Sequence, residues 1–405
     1  MTLNLNESHS RKTKFNSVLL FLVVILQNPI WPMWAISPAV LSFIIVIILF
    51  FINILQGRFS KISPLAFIVF ISSFLFFFVF SIVRGEGARI SSLITLLAFL
   101  IVSKTSEIEK HLTIKYITNY IALIIAISLP FYLIHIFFSP TIPLIGMVDL
   151  SDFKGAPMIM ENYVLYVMPA GFDYFRFYSM FDEPGVLGTI SAFILYINNY
   201  NFRKKSNIII LLGSIFTYSM AFYILTLVGF TFNMIRNRQI KGALTLIIFI
   251  FILFFIVKDQ VAFQYSVMSR FSSGVFDALK ERNDDVLDSF FQEYIGSIDF
   301  LLGKGALFLK QSAFTGNSYK FFLIEYGLIG ILLILLIYLS LIKKMDSSIF
   351  VLLVLFILSF LQRSFIFTAW QIIIFSCGAY LVKQSFSKCF MYNDSCPEKY
   401  YHNDS

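Results

Sequence analysis

The densest grouping of reactive side chains lies in the stretch Arg176-Phe-Tyr-Ser179-Met-Phe181-Asp182-Glu183-Pro184-Gly185-Val-Leu-Gly188. Arg176 presents a planar fork that suits phosphate or carboxylate. Asp182 and Glu183 are carboxylates suited to accepting a proton. They precede Pro184, which has no N–H and fits the first turn of a helix, so both sit at that helix's positive end. Gly185 and Gly188 allow a second helix or a ligand to approach closely. The same residues also read as a plain helix start: an acidic cap, a proline, and Arg176 paired locally. Composition alone does not separate these readings.

A second group runs Leu302-Gly303-Lys304-Gly305, Gly316-Asn317-Ser318-Tyr319 and Glu325-Tyr326-Gly327-Leu328-Ile329-Gly330. Gly-Lys-Gly has no Walker spacing around it, so it is not a nucleotide loop. Glu325 lies within an otherwise apolar helix, where a charge is costly. It faces water, pairs with an arginine, or is protonated. Gly327 and Gly330 read most simply as a close helix contact. A third group is a set of arginines, Arg84, Arg89, Arg176, Arg270, Arg282 and Arg363. Arginine is favoured where a diphosphate is gripped by paired hydrogen bonds, and it also anchors to lipid headgroups. His9, His111, His135 and His402 are scattered, and Cys377, Cys389 and Cys396 lie near the C-terminus. These make no metal or haem motif and no disulfide framework, so no metal and no cofactor are expected. His135 reads as a polar interface residue.

The elements that carry these groups are membrane helices. The chain has 405 residues, 58% hydrophobic and only 13% charged, with mean hydropathy +0.83. Soluble domains are about 45–50% apolar and about 25% charged, and disorder needs still more charge. Apolar runs of membrane length fall at 15–31, 36–55, 63–83, 88–103, 116–138, 183–200, 207–218, 220–235, 242–257, 319–342, 347–362 and 365–382. Residues 207–235 are read as a short hairpin turning at Tyr218 and Ser219. The expectation is an all-α polytopic membrane protein of about twelve transmembrane helices, a single integral domain over 1–405 with no internal repeat.

With the N-terminus in the cytoplasm, nineteen of the 31 Lys and Arg residues fall in cytoplasmic segments, as the positive-inside rule requires. The net charge of +8 is therefore a topology signal, and nucleic acid is not an expected partner. Two long periplasmic loops result, 139–182 and 258–318, and residues 383–405 form a cytoplasmic tail. Loops of that length are usually functional. The second contains an amphipathic helix between Asp284 and Leu302, with Val286, Leu287, Phe290, Phe291, Tyr294, Ile295, Ile298, Leu301 and Leu302 at three- and four-residue steps. It is expected on the membrane face or as a cap on the bundle.

The pattern Arg-x-x-Ser-x-Phe-x-Glu-Pro-Gly-x-x-Gly entering a helix resembles the O-antigen polymerase (Wzy) family and related exopolysaccharide polymerases. The segment from Leu302 to Gly330 resembles a region shared by O-antigen ligases and polymerases. In ligases it reads His-Asn, nine residues, then Gly-x-x-Gly. Here Asn317 and Gly327-Leu328-Ile329-Gly330 keep that spacing, and Gly316 stands where the histidine would be. Eleven residues separate Arg176 from Gly188, one more than the Arg-x10-Gly pattern of some polymerases.

The resemblance implies a GT-C-like membrane glycosyltransferase of the bacterial inner membrane, acting at the periplasmic face. Its substrates would be undecaprenyl-diphosphate-linked glycans, with no nucleotide sugar, and a chain-length regulator would be its partner. It places Arg176, Glu183 and Asp182 in the catalytic role, and Arg84, Arg89, Arg270, Arg363, Asn317 and Glu325 around the substrate diphosphate. The competing readings are a ligase that moves glycan to lipid A core and a polysaccharide-lipid flippase or other transporter. The missing histidine argues against the ligase, and the absent internal symmetry against the transporter.

Overall fold

The computed structural model describes residues 2–34, 37–87, 89–138, 143–150, 158–163, 165–171, 176–236, 255, 258–259, 264, 268, 285–312, 314, 319–362 and 366–390. Helices occupy eleven of the twelve expected segments: α1 (Thr2–Leu26), α2 (Pro38–Leu55), α3 (Pro64–Val83), α4 (Ile90–Lys104), α5 (Glu107–Phe138), α6 (Pro184–Ile197), α7 (Lys205–Ile215), α8 (Met220–Arg236), α12 (Tyr319–Ser340), α13 (Ser347–Gln362) and α14 (Ala369–Phe390). The segment 242–257 and nearly all of 258–284 lie outside the described residues. Among the described residues, α2, α3, α5 and α12 are long and apolar enough to cross a membrane, and α4, α6, α7, α8, α13 and the part of α14 to Val382 are shorter apolar helices. Proline opens α2, α3 and α6 at their first turns, where a missing N–H costs nothing. The hairpin expected at Tyr218 is present: α7 ends at Ile215, Tyr218 adopts φ +46, and α8 starts at Met220.

The centre of the bundle is α6. All fourteen of its residues are buried. A Cβ on Gly188 would lie 2.8 Å from Cβ of Ser219, so this glycine sets the approach of α6 to the start of α8. On α6, Phe193 stacks on Phe356 of α13 at 3.9 Å.

Two sequence expectations need correction. The first long loop, for which the sequence offers no element, contains strands. It folds into a three-stranded antiparallel meander, β1 (Gly146–Asp149), β2 (Ile159–Asn162) and β3 (Val167–Pro169), with Met147 opposite Glu161 and Glu161 opposite Met168. Its inner face puts Leu150, Met160 and Val167 against Trp31, Trp34 and Tyr178, and that buried apolar face is what lets so short a sheet form. The amphipathic helix of the second loop is also not continuous. α9 spans Asp285–Ile295, Gly296 interrupts it, and the short α10 (Asp299–Leu302) and α11 (Ala306–Gln311) follow. α9 buries Leu287, Phe291 and Tyr294 against Leu323 and Ile324 of α12. It therefore caps the bundle.

Segments that the charge pattern puts on one side meet each other. Arg58 after α2 reaches Glu109 at the start of α5, and Arg236 and Tyr196 both reach Ser348. On the other side, the Trp31 amide donates to Met180 O at 2.9 Å, and Arg84 reaches Leu302.

Glu109 is the strongest polar tie at the first of these ends. It is fully buried and receives two hydrogen bonds of 2.9 Å from Arg58, one of 2.7 Å from Asn16 and one of 2.7 Å from the Ser106 amide. It joins α1, the turn after α2, and α5. Removing one partner of a buried pair strands the other. Glu109→Ala is expected to lower stability by about 3 kcal/mol, read as a lower thermal midpoint in detergent. An unchanged midpoint would remove this pair from the fold's energetics.

Candidate functional site

Two polar constellations are built at the end of the bundle that carries the long loops. The first surrounds a break in α12. Gly327 leaves helical geometry, with φ +66 and ψ −172. The left-handed φ favours glycine, and space requires it too, because a Cβ there would lie 2.4 Å from Leu301 O. The strand-like run Gly303-Lys304-Gly305 fills the gap. The Lys304 amide donates to Ile324 O at 2.6 Å and the Gly305 amide to Glu325 O at 3.1 Å. The carbonyls freed by the break are thus taken by the loop's own amides. The close contact expected at Gly327 is thus made to the end of the short α10, at Leu301, and to Gly303 just after it.

Side chains reinforce the stitch. Arg89 forms ion pairs with both Glu86 and Glu325 and donates to the Tyr326 hydroxyl at 2.6 Å. Arg84 donates to Leu302 O at 3.1 Å and Gly303 O at 2.8 Å, and its guanidinium lies 4.1 Å from the Phe80 ring centroid. Burial pushes the Arg84 pKa below its ordinary value, and the neighbouring Glu86 charge opposes that shift. Lys304 pairs with Asp299 at 2.5 Å. Of the three states open to Glu325 in the sequence, the structure shows the arginine pair.

The second constellation is the stretch from Arg176 to Pro184. Arg176 Nε donates to Thr217 O at 2.9 Å and Nη2 to Tyr218 O at 3.1 Å, gripping the α7–α8 turn. The Phe177 amide donates to Phe216 O at 2.9 Å in the same turn, and the Phe177 ring packs on Tyr132 at 5.0 Å. Ser179 holds φ +55 and shares a 2.7 Å hydrogen bond with Ser128 Oγ of α5. Its carbonyl accepts from the Val167 amide of β3 at 2.8 Å. The run is thus tied to α5, to the sheet and to the α7–α8 turn before it enters α6. Asp182 is buried, and Glu183 is half-buried and N-caps α6 in extended conformation without using its side chain as the cap. Beside this run, the His135 ring nitrogen shares a short hydrogen bond with the Tyr166 hydroxyl, Tyr166 stacks on Tyr163 at 4.9 Å, and Tyr163 donates to Glu161 at 2.7 Å. His135 is indeed a polar contact between helix and loop.

The chain gives no significant match to any family model, curated protein or solved structure.

The expected residues therefore divide. Arg84, Arg89 and Glu325 meet at the break in α12. Arg176, Asp182 and Glu183 belong to the run that opens α6. Arg270, Asn317 and Arg363 lie outside the described residues. Sequence reasoning missed Glu86 and Tyr326 as partners of Arg89. The i,i+3 spacing of Glu86 and Arg89 was a usable signal; the 236-residue separation of Arg89 from Glu325 gave none. Tyr132, Tyr163 and Tyr166 were missed because the sheet that gathers two of them was missed.

Arg89→Ala leaves the half-buried carboxylates of Glu86 and Glu325 without their counter-ion, and a loss of about 3 kcal/mol is expected. Arg176→Ala removes charged hydrogen bonds to two carbonyls, expected to cost about 2 kcal/mol. Thermal unfolding of both variants in detergent checks the order. A smaller loss at Arg89 than at Arg176 would show that the clasp is not what holds the loop.

Proposed function

We propose that this chain is a membrane glycosyltransferase that polymerises undecaprenyl-diphosphate-linked repeat units into a surface polysaccharide, O-antigen or capsule, at the periplasmic face of a bacterial inner membrane. In this reading it has twelve spans in a GT-C-like arrangement with both termini cytoplasmic, and a chain-length regulator is its partner. The observation that carries it is the state of the run resembling the polymerase pattern. That run is a rigid, non-helical segment pinned at the head of the buried α6, with Arg176 at one end and Glu183 at the other.

In the reaction, the acceptor sugar hydroxyl attacks the anomeric carbon of the donor glycan, the bond from that carbon to the diphosphate oxygen breaks, and undecaprenyl diphosphate leaves. Glu183 takes the hydroxyl proton, with Asp182 alongside. Such general-base help is worth about 10²–10⁴-fold. Arg176 neutralises charge on the departing diphosphate, joined by Arg270 and Arg363. One fixed donor of this type is worth roughly 10²–10³-fold. A lipid diphosphate is already a good leaving group, so positioning and charge stabilisation are the protein's main tasks. Arg84, Arg89 and Glu325 take a supporting role here, since Arg89 is already matched by two carboxylates.

The transporter reading gains one observation. A broken helix beside a half-buried carboxylate, here Glu325, resembles the ion sites that many transporters build. Here, however, the Ile324 and Glu325 carbonyls at the break already accept from Lys304 and Gly305, which counts against a cation being held by them.

The test is the surface polysaccharide profile of a deletion strain complemented with variants. The deletion should collapse the ladder to core plus one repeat unit. Glu183→Gln and Arg176→Ala, at normal protein level, should each cut polymer by roughly 100-fold. Bare core in the deletion would transfer the assignment to a ligase or flippase. A full ladder from both variants would take these two residues out of the mechanism.

A further inference from the structure

We infer that the segment following α9, residues 295–311, is a foot that inserts into the outer leaflet of the bilayer, with phospholipid as its occupant. This inference does not depend on the reaction proposed above.

α9 spends its apolar face on α12 through Leu287, Phe291 and Tyr294. The chain then turns at Gly296, and the apolar residues that follow point away from the protein. Ile298 is 81% exposed, and Ile295, Leu301, Leu302 and Leu307 are exposed as well. Apolar side chains clustered on an exposed surface mark an interaction face.

Two observations identify lipid as what covers it. The first is continuity with a spanning helix. Arg84 directly follows α3, and its guanidinium donates to the carbonyls of Leu302 and Gly303, which puts the end of α3 against the foot. The last residues of α3 are themselves apolar and exposed, Ile82 and Val83, the latter at 75%. α3 is one of the helices long and apolar enough to cross a membrane. Its lipid-facing surface therefore runs on into the foot. The second observation is the charge at the rim. Arg84 and the exposed Lys310 border the apolar residues, with Lys304 between them paired to Asp299. Cations beside an apolar face sit at phosphate level when the face is buried in the acyl boundary. A protein partner requires neither the continuity nor the rim charges.

The geometry also fixes the depth. The foot is stitched to the break in α12 through Lys304 and Gly305, and Arg89 holds the same break to the α3–α4 turn. A foot so held lies at the level of the end of α3 and cannot swing free into solution.

The test uses the full chain with Cys389→Ser and Cys396→Ser, leaving the buried Cys377. Ile298→Cys carries an environment-sensitive fluorophore. Gln292→Cys, on the polar side of α9, is the control. Because Ile298 is so exposed, its replacement leaves the packing intact. The protein is reconstituted in vesicles of phosphatidylcholine and phosphatidylglycerol, with and without a lipid carrying a nitroxide near the headgroup. The expected result at 298 is a blue-shifted emission that loses most of its intensity to the nitroxide lipid and little to aqueous iodide, with the opposite pattern at 292. Emission at 298 matching that at 292, quenched by iodide and spared by the nitroxide lipid, overturns the inference. Shielding of 298 from iodide in native membranes but not in these vesicles also overturns it, in favour of a protein partner.

Discussion

A hydrocarbon medium leaves no backbone carbonyl unpaired without a cost of several kcal/mol, and the break in α12 is organised by that constraint. Gly327 interrupts the helix and frees the carbonyls of Ile324 and Glu325. A second run of backbone alongside takes them, through the Lys304 and Gly305 amides, and the Tyr294 hydroxyl takes the carbonyl of Leu323 just before. The remaining features of this end follow. Gly303 and Gly305 have left-handed φ, and side chains there would collide with Glu325 and Glu86, so the stitching strand is glycine on both sides of Lys304. Glu325, brought to the break, must be matched, and Arg89 matches it. Glu86 holds Arg89 from the other side. The second long loop is thereby fastened to the α3–α4 turn.

This clasp and the Arg176–Glu183 run use similar residue types for opposite ends. At the clasp, carboxylates and guanidinium meet side chain to side chain, and the charges largely cancel. At the run, Arg176 reaches across to the backbone carbonyls of the α7–α8 turn. Arg89, although an outer arginine in the sequence, is thus engaged within the protein by Glu86 and Glu325.

The helices were legible in the sequence because hydropathy in lipid is a local signal. Eleven expected segments contain helices, and the Tyr218 turn, the Pro184 helix start and the close approach at Gly188 follow from local rules. What was not legible depends on contacts between distant segments. The sheet in the first loop is held by Trp31 and Trp34, over a hundred residues upstream. The contact at Gly327 was legible, but its partners, Leu301 at the end of α10 and Gly303, were not, because they belong to another segment. Glu325 offered three readings, and only the partner Arg89 selects among them. Of the site, the run from Arg176 to Glu183 was legible as a unit; its attachments to Ser128, Val167 and Thr217 were not.

Those attachments bear on how the run can work. A segment outside regular secondary structure normally moves, and a catalytic group displaced by about 1 Å can lose 10²-fold in rate. Here the run is fixed between α5, the sheet and the α7–α8 turn, and it ends on the proline of the most buried helix. Ser179 is held at a positive φ that a non-glycine residue adopts at a cost of about 1–3 kcal/mol. That strain sits between Arg176 and Glu183 and sets their relative direction. A relaxed backbone at Ser179 would point the chain elsewhere and separate the two. The hydrogen bonds to Ser128 and Val167, made by this one residue's side chain and carbonyl, offset the strain where it arises.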